Sequence, residues 1–147
     1  MLYNQDFYSW AQQQAELLRD GRLSELDAEH LLEEVLDMSG SKRRELKNRL
    51  AVLIAHLLKW QYQPGRRSRS WLLTIEEQRQ EIADLLQENP GLKPEIAEQL
   101  NKAYRIAILQ AAKETGLAKN VFPTECPWSF EQIINNEFLP EATDEHL

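Results

Sequence analysis

The sequence predicts an all-α fold, and three observations carry that prediction. Apolar residues recur every three to four positions over most of the chain. Only five Gly and six Pro occur in 147 residues, few for a turn-rich β protein, and they fall between the apolar stripes. No segment alternates apolar and polar residues convincingly enough to suggest a strand. The expectation is an irregular bundle of about five helices plus a short C-terminal one, folded as a single domain over residues 1–147. That length can bury a core without disulfides or metal.

The first stripe, Tyr3, Phe7, Trp10, Ala11, Leu17 and Leu18, predicts a helix from about Asn4 to Arg19, capped by Asn4 or Asp6 and stopped at Gly21. A second helix starts near Ser24, where Ser24-x-x-Asp27 approximates a capping box. Its apolar face is Ala28, Leu31, Leu32, Val35 and Leu36, and the opposite face is acidic. This stripe keeps its phase through Ser39-Gly40-Ser41, because positions 28, 32, 35 and 39 lead on to 46, 50, 53, 57 and 60. A glycine inside a helix costs only about 1 kcal/mol, so one long helix over 24–61, continuous or kinked at Gly40, is expected. It would be about 57 Å long, against roughly 38 Å for the diameter of a compact domain this size, which points to an elongated or dimeric molecule.

Gln63-Pro64-Gly65 reads as a turn, since Pro cannot continue a helix and Gly tolerates positive φ. The next helix starts at Ser70 or at Thr74, whose Thr74-x-x-Glu77 is a capping box, and runs to about Glu88 over Trp71, Leu72, Ile75, Ile82, Leu85 and Leu86. Pro94 suits a first helical turn. After it Ile96, Leu100, Ala103, Tyr104, Ala107, Ile108 and Ala111 form a stripe ending near Gly116. Residues 117–128 read as irregular, Ser129-x-x-Gln132 opens a short helix over Phe130, Ile133 and Ile134, and the polar tail 141–147 is expected to fray.

Charge is segregated. Residues 41–69 hold nine basic residues and a single acid, Glu45, in a chain of net charge −7. Such a segment needs an acidic partner, internal or external. The overall acidity argues against indiscriminate nucleic-acid binding by the whole molecule. The lone Cys126 forms no internal bridge and suits a reducing compartment. With no signal peptide and no apolar run approaching the roughly 20 residues of a membrane span, the reading is a cytoplasmic protein without membrane association.

The run His56-Leu-Leu-Lys-Trp-Gln-Tyr-Gln-Pro64, then Arg66-Arg-Ser-Arg-Ser-Trp71, with Gln78-Arg79 downstream, closely resembles the signature of a bacterial family catalogued as domain of unknown function number twenty-nine. Asp6, Trp10, Asp27, Glu33-Glu34, Tyr104, Pro123, Cys126-Pro127 and Leu139-Pro140 extend the resemblance over nearly the whole chain. It implies an all-helical, cytoplasmic bacterial protein and carries no reaction, cofactor or catalytic residue with it.

Several groups could carry chemistry. Lys59, Arg66, Arg67 and Arg69 with Trp60, Tyr62 and Trp71 interleaved have the composition that grips single-stranded nucleic acid, cations on phosphates and rings on bases. The same pattern fits tryptophans at helix ends and arginines paired with acids or with an acidic protein partner. Arg79, near an apolar stripe, calls for a partner. Glu33 or Glu34 would make a structural ion pair with it, and Arg66 or Arg67 beside it would instead make an anion site. Asp27, His30 and Glu34 share one helix face, but Glu-x-x-His does not recur as a carboxylate-bundle metal site requires, so no metal or cofactor is expected. Cys126 reads as a buried small hydrophobe more than a reactive thiol. No phosphate-cradling loop, Gly-x-Ser-x-Gly or His-Glu-x-x-His occurs. The expected role is a non-catalytic protein-interaction or scaffold module with a protein partner or a homo-oligomeric state. Nucleic-acid binding through residues 59–71 is the alternative, and an enzyme built on Arg79, His56, Glu33 and Glu34 the second alternative.

Overall fold

The computed structural model describes residues 1–143, and among these it contains six α-helices, short 3-10 turns and no strand. In chain order the helices are α1 (Leu2–Gln5), α2 (Phe7–Arg19), α3 (Ala28–Tyr62), α4 (Arg69–Glu88), α5 (Ile96–Thr115) and α6 (Phe130–Ile134). The contacts cluster into two compact units within what the sequence reads as one domain: Met1–Ser41, and the chain from Lys42 onward.

In the first unit the expected opening helix is split at Asp6. Its carboxylate accepts the Ser9 backbone N–H at 3.0 Å and the Ser9 hydroxyl at 2.7 Å, so Asp6 caps α2 and leaves the helical conformation to do so. Gly21 supplies the positive φ of 70° at the turn after α2. The Ser24 capping box is not used. Leu23–Glu25 form a 3-10 turn and Leu26 is extended. Asp27 opens α3 instead, its carboxylate accepting the His30 N–H at 3.3 Å.

Helix α3 runs 35 residues without interruption, Gly40 included, so the long helix forms as one piece. Its second half is the centre of the second unit. Leu46, Leu50, Leu53, Ile54, Leu57 and Leu58 are sealed from solvent and cluster with Ile75, Ile82 and Leu85 of α4 and with Ala103, Tyr104, Ala107 and Ala111 of α5. The three alanines of α5, four residues apart, make a smooth ridge that lets neighbouring side chains approach closely.

Helix α4 is opened by Ser68, whose hydroxyl accepts the Trp71 N–H, and not by Ser70 or Thr74. Pro94 lies in the 3-10 turn Pro90–Glu95 that leads into α5, and Gly116, at φ 78°, ends α5 in the left-handed region. The Ser129–Gln132 capping box forms as expected. In the irregular stretch the Tyr104 hydroxyl donates to the Pro123 carbonyl at 2.6 Å, tying the loop to α5. Of the tail expected to fray, residues 141–143 are described, with Thr143 N–H donating to the Gln61 carbonyl at 3.1 Å. The rest lies outside the described residues.

Candidate interaction site

Each unit holds its polar groups differently. In the first unit a compact polar lock joins α2 to the start of α3. Asp27 Oδ2 accepts the Trp10 indole N–H at 3.0 Å and faces His30 Nδ1 at 2.7 Å, while the Asp27 N–H donates to Gln14 Oε1 at 2.8 Å. Tyr3 stacks on the His30 ring at 4.0 Å between centroids and donates its hydroxyl to Glu34. The hydrogen bond to His30 holds the Asp27 carboxyl below the usual carboxylate range, and Asp27 in turn raises His30. The Glu34 carboxylate beside it pushes the Tyr3 hydroxyl up to about 12.

This lock uses positions 27, 30 and 34, which lie on one side of α3 by helical spacing. The expected apolar face is turned elsewhere. Leu32, Val35 and Leu36 are 60%, 54% and 59% exposed, a correction to the assumption that the apolar stripe of this helix is buried throughout its length. Residues 32, 35 and 39 are in phase with Leu46, Leu50, Leu53 and Leu57, so one stripe is core along the second half of α3 and displayed along the first.

In the second unit part of the basic segment is paired with acids of the same unit. Lys42 pairs with Glu45, Arg43 with Glu95, and Arg49 with Glu45 and Glu81. Lys59 is buried, forms a salt bridge with Glu114 and lies 4.9 Å from the Trp71 ring centre. Arg67 sits 4.6 Å from the Trp60 ring centre and donates Nε–H to the Trp60 carbonyl at 2.9 Å. Among the described residues its Nη2 and the Gln61 Oε1 are buried without hydrogen-bond partners, the kind of unsatisfied group that costs about 1–3 kcal/mol. Tyr62 is buried edge-on against Phe122. Lys59, Arg67, Trp60, Tyr62 and Trp71 therefore have structural partners within the unit. Arg66 and Arg69 are exposed and make no salt bridge among the described residues.

Arg79 is almost fully buried, and its hydrogen bonds differ from the expected ion pair. Nε–H donates to the Ile133 carbonyl at 2.8 Å and Nη2–H to the Phe138 carbonyl at 2.7 Å, while the Glu34 carboxylate takes the Tyr3 hydroxyl. The physical reason is that the end of α6 leaves carbonyls without helical donors, and a guanidinium fork satisfies two of them. Burial lowers its pKa. An open groove of about 640 Å³ passes over Arg79, but Glu76 and Asp84 line it too, and their charge makes it a poor anion site. His56 binds the Val52 carbonyl through Nδ1 at 2.8 Å, and burial lowers its pKa. In the second unit Arg79 thus donates to backbone carbonyls and His56 bonds within its own helix. Burial raises the Cys126 thiol, which donates to the Trp128 carbonyl. Among the described residues no three His, Cys, Asp or Glu side chains are grouped to hold a metal, and no helix is long and apolar enough to cross a membrane.

Sequence reasoning missed the Tyr3 hydroxyl on Glu34 and the Glu114 partner of Lys59. The first left a trace, since Glu34 shares a face with Asp27 and His30. The second is separated by 55 positions and left none.

The molecule is thus an all-α protein of six helices among its described residues. It belongs to the family described as "Domain of unknown function DUF29", matched over residues 2–139. No curated protein and no solved structure matches the chain. Residues that carry the family resemblance have places in this architecture: Asp6 caps α2, Trp10 and Asp27 form the polar lock, Tyr104 anchors Pro123, and Cys126 bonds Trp128.

Proposed function

We propose that this protein is a non-catalytic helical interaction module that receives another protein chain on the exposed stripe of α3. One observation carries the reading: Leu32, Val35 and Leu36 stand more than half exposed on a stripe that becomes core further along the same helix. Isolated exposed apolar residues are ordinary, but three grouped within two turns, rimmed by carboxylates, have the composition of a docking face. The hydrogen-bonded environments of His56 and Arg79 support a structural role for two of the groups an enzyme reading would use.

A photo-crosslinking amino acid at position 35, introduced in the full chain in cells, tests this. The expected outcome is a discrete protein adduct that disappears when Leu36→Ser is added, with thermal unfolding unchanged. A fully expressed, folded chain that yields no adduct overturns the reading.

A further inference from the structure

The kind of chain that the exposed face of α3 receives can be argued from charge and backbone chemistry, and the argument rests on the interaction reading above. Met1–Ser41 contains nine carboxylates and two guanidiniums, and from Leu23 to Ser41 six Asp and Glu occur with no Lys or Arg. Glu25 is taken by Arg22, Asp27 by His30 and Glu34 by the Tyr3 hydroxyl, while Glu29 and Glu33 are exposed and make no salt bridge among the described residues.

By helical spacing the exposed Ala28, Leu32, Val35 and Ser39 stand in one row, with Leu36 beside it, over about 16 Å of helix. Glu29 and Glu33 run along the Leu36 edge of that row, and the exposed Met38 lies towards the other edge. The face is apolar along its middle and negative along one side only. Its charge repels nucleic acid and anionic lipid headgroups alike, and a second copy of the acidic unit with them, so it selects a protein segment bearing cations. An extended segment laid on this face would turn backbone N–H and C=O groups towards apolar side chains with nothing to bond, because α3 uses its own backbone groups internally. A helical segment brings its backbone already satisfied.

We infer that the occupant is an amphipathic helix of another protein, with Lys or Arg along one edge of its apolar face. Its apolar residues, recurring every three to four positions, seat against Leu32, Val35 and Leu36 as paired helices do, and its cations meet Glu29 and Glu33. The one-sided rim also sets direction. Turning the bound helix end for end would carry its cations to the Met38 edge, away from the carboxylates.

Fluorescence anisotropy of the purified full chain tests the inference with a labelled amphipathic peptide of about 20 residues, built of Leu, Ala and Lys, beside a counterpart with Glu for every Lys. At about 50 mM salt the Lys peptide is expected to bind saturably and the Glu peptide not to bind. The charge-reversed variant E29K/E33K is expected to bind the Lys peptide roughly tenfold or more weakly and to gain the Glu peptide, a gain that also shows the variant is folded. L32S/L36S, with thermal unfolding unchanged, is expected to lose the Lys peptide, which separates seating on the apolar row from adsorption by charge alone. In the position-35 cross-linking experiment, the segment joined to the chain is expected to be net positive when sequenced by mass spectrometry. A wild type that does not bind the Lys peptide, binds the Glu peptide equally, or keeps its Lys-peptide affinity in either variant overturns the inference. So does a neutral or acidic cross-linked segment, or an adduct with the mass of two copies of this chain. A position-35 adduct obtained alongside any of these results leaves the interaction reading standing with an occupant of other chemistry. The absence of any adduct from the folded chain removes both.

Discussion

Leu46, Leu50, Leu53 and Leu57 have no solvent exposure, while Leu32 and Val35, on the same stripe of the same unbroken helix, are more than half exposed. The second unit buries its half of the stripe under α4 and α5 and holds its cations on Glu114, on tryptophan faces and on carbonyls. The first unit buries Trp10 and Gln14 and is held by directed hydrogen bonds on the other side of α3. Amphipathicity states which side of a helix can be buried; the neighbours decide whether it is. The comparison separates a region in which the apolar stripe is core from one in which it is exposed.

The largest effect that could break this contrast is on stability. Leu53→Ala leaves a cavity in the second unit and is expected to lower unfolding free energy by about 2–5 kcal/mol, measured by urea denaturation. Leu32→Ala, the same chemistry on the same stripe, is expected to change it by no more than about 0.5 kcal/mol. Similar losses at both positions would mean that the two halves are equally packed.

Next in size is Arg79→Met, which removes the fork from the Ile133 and Phe138 carbonyls and is expected to cost about 2 kcal/mol. Faster hydrogen exchange should appear in α6, while the α2 amides keep their protection. If the arginine acted mainly through Glu33 or Glu34, the exchange of α2 and α3 would change first.

Much of this architecture is legible in the sequence. The phase of the α3 stripe through Gly40, the α5 stripe and the Ser129 capping box all survive because they depend on spacing within one segment. The cap of α4 was ambiguous, since Ser68, Ser70 and Thr74 all have the required hydroxyl and only one meets a free N–H. Arg79 was read as an ion pair because its true acceptors are backbone carbonyls, which every residue carries and no sequence marks. The exposure of Leu32, Val35 and Leu36 was hidden for a related reason: periodicity identifies an apolar face without identifying its neighbour.

The polar lock sharpens the comparison through pH. Because Asp27 raises the His30 pKa above its ordinary 6.5, the contribution of protonated His30 to the first unit is complete below 6.5 and disappears as pH rises through the folded value. Glu29 and Glu33 act in the same direction as Asp27, and burial of the ring opposes them. Asp27 itself, lowered from 3.8, stabilises above that value and ceases to do so as pH falls through its folded pKa. The first unit is therefore expected to be firmest between about pH 4 and 6.5. An NMR titration should place His30 above 6.5, with a return towards it in Asp27→Asn. A His30 that titrates below 6.5 in the folded chain would remove the dyad from the account.

The smallest expected effect is on nucleic acid. With Lys59 on Glu114 and Trp71, Arg67 on Trp60 and Tyr62 buried, labelled single strands titrated at about 50 mM salt should show no saturable binding by fluorescence anisotropy. Saturable binding that weakens on Arg66→Ala and Arg69→Ala would reopen residues 59–71 as a phosphate-tracking surface.

Thiol labelling compares the two halves of α3 most directly. In a Cys126→Ser background, single cysteines at positions 36 and 53 are reacted with a maleimide in dilute protein. Position 36 is expected to label at nearly the rate of a free thiol, and position 53 to react only through unfolding. Protection of position 36 as strong as that of position 53 would contradict this, since the first half of α3 would then be covered within the chain itself.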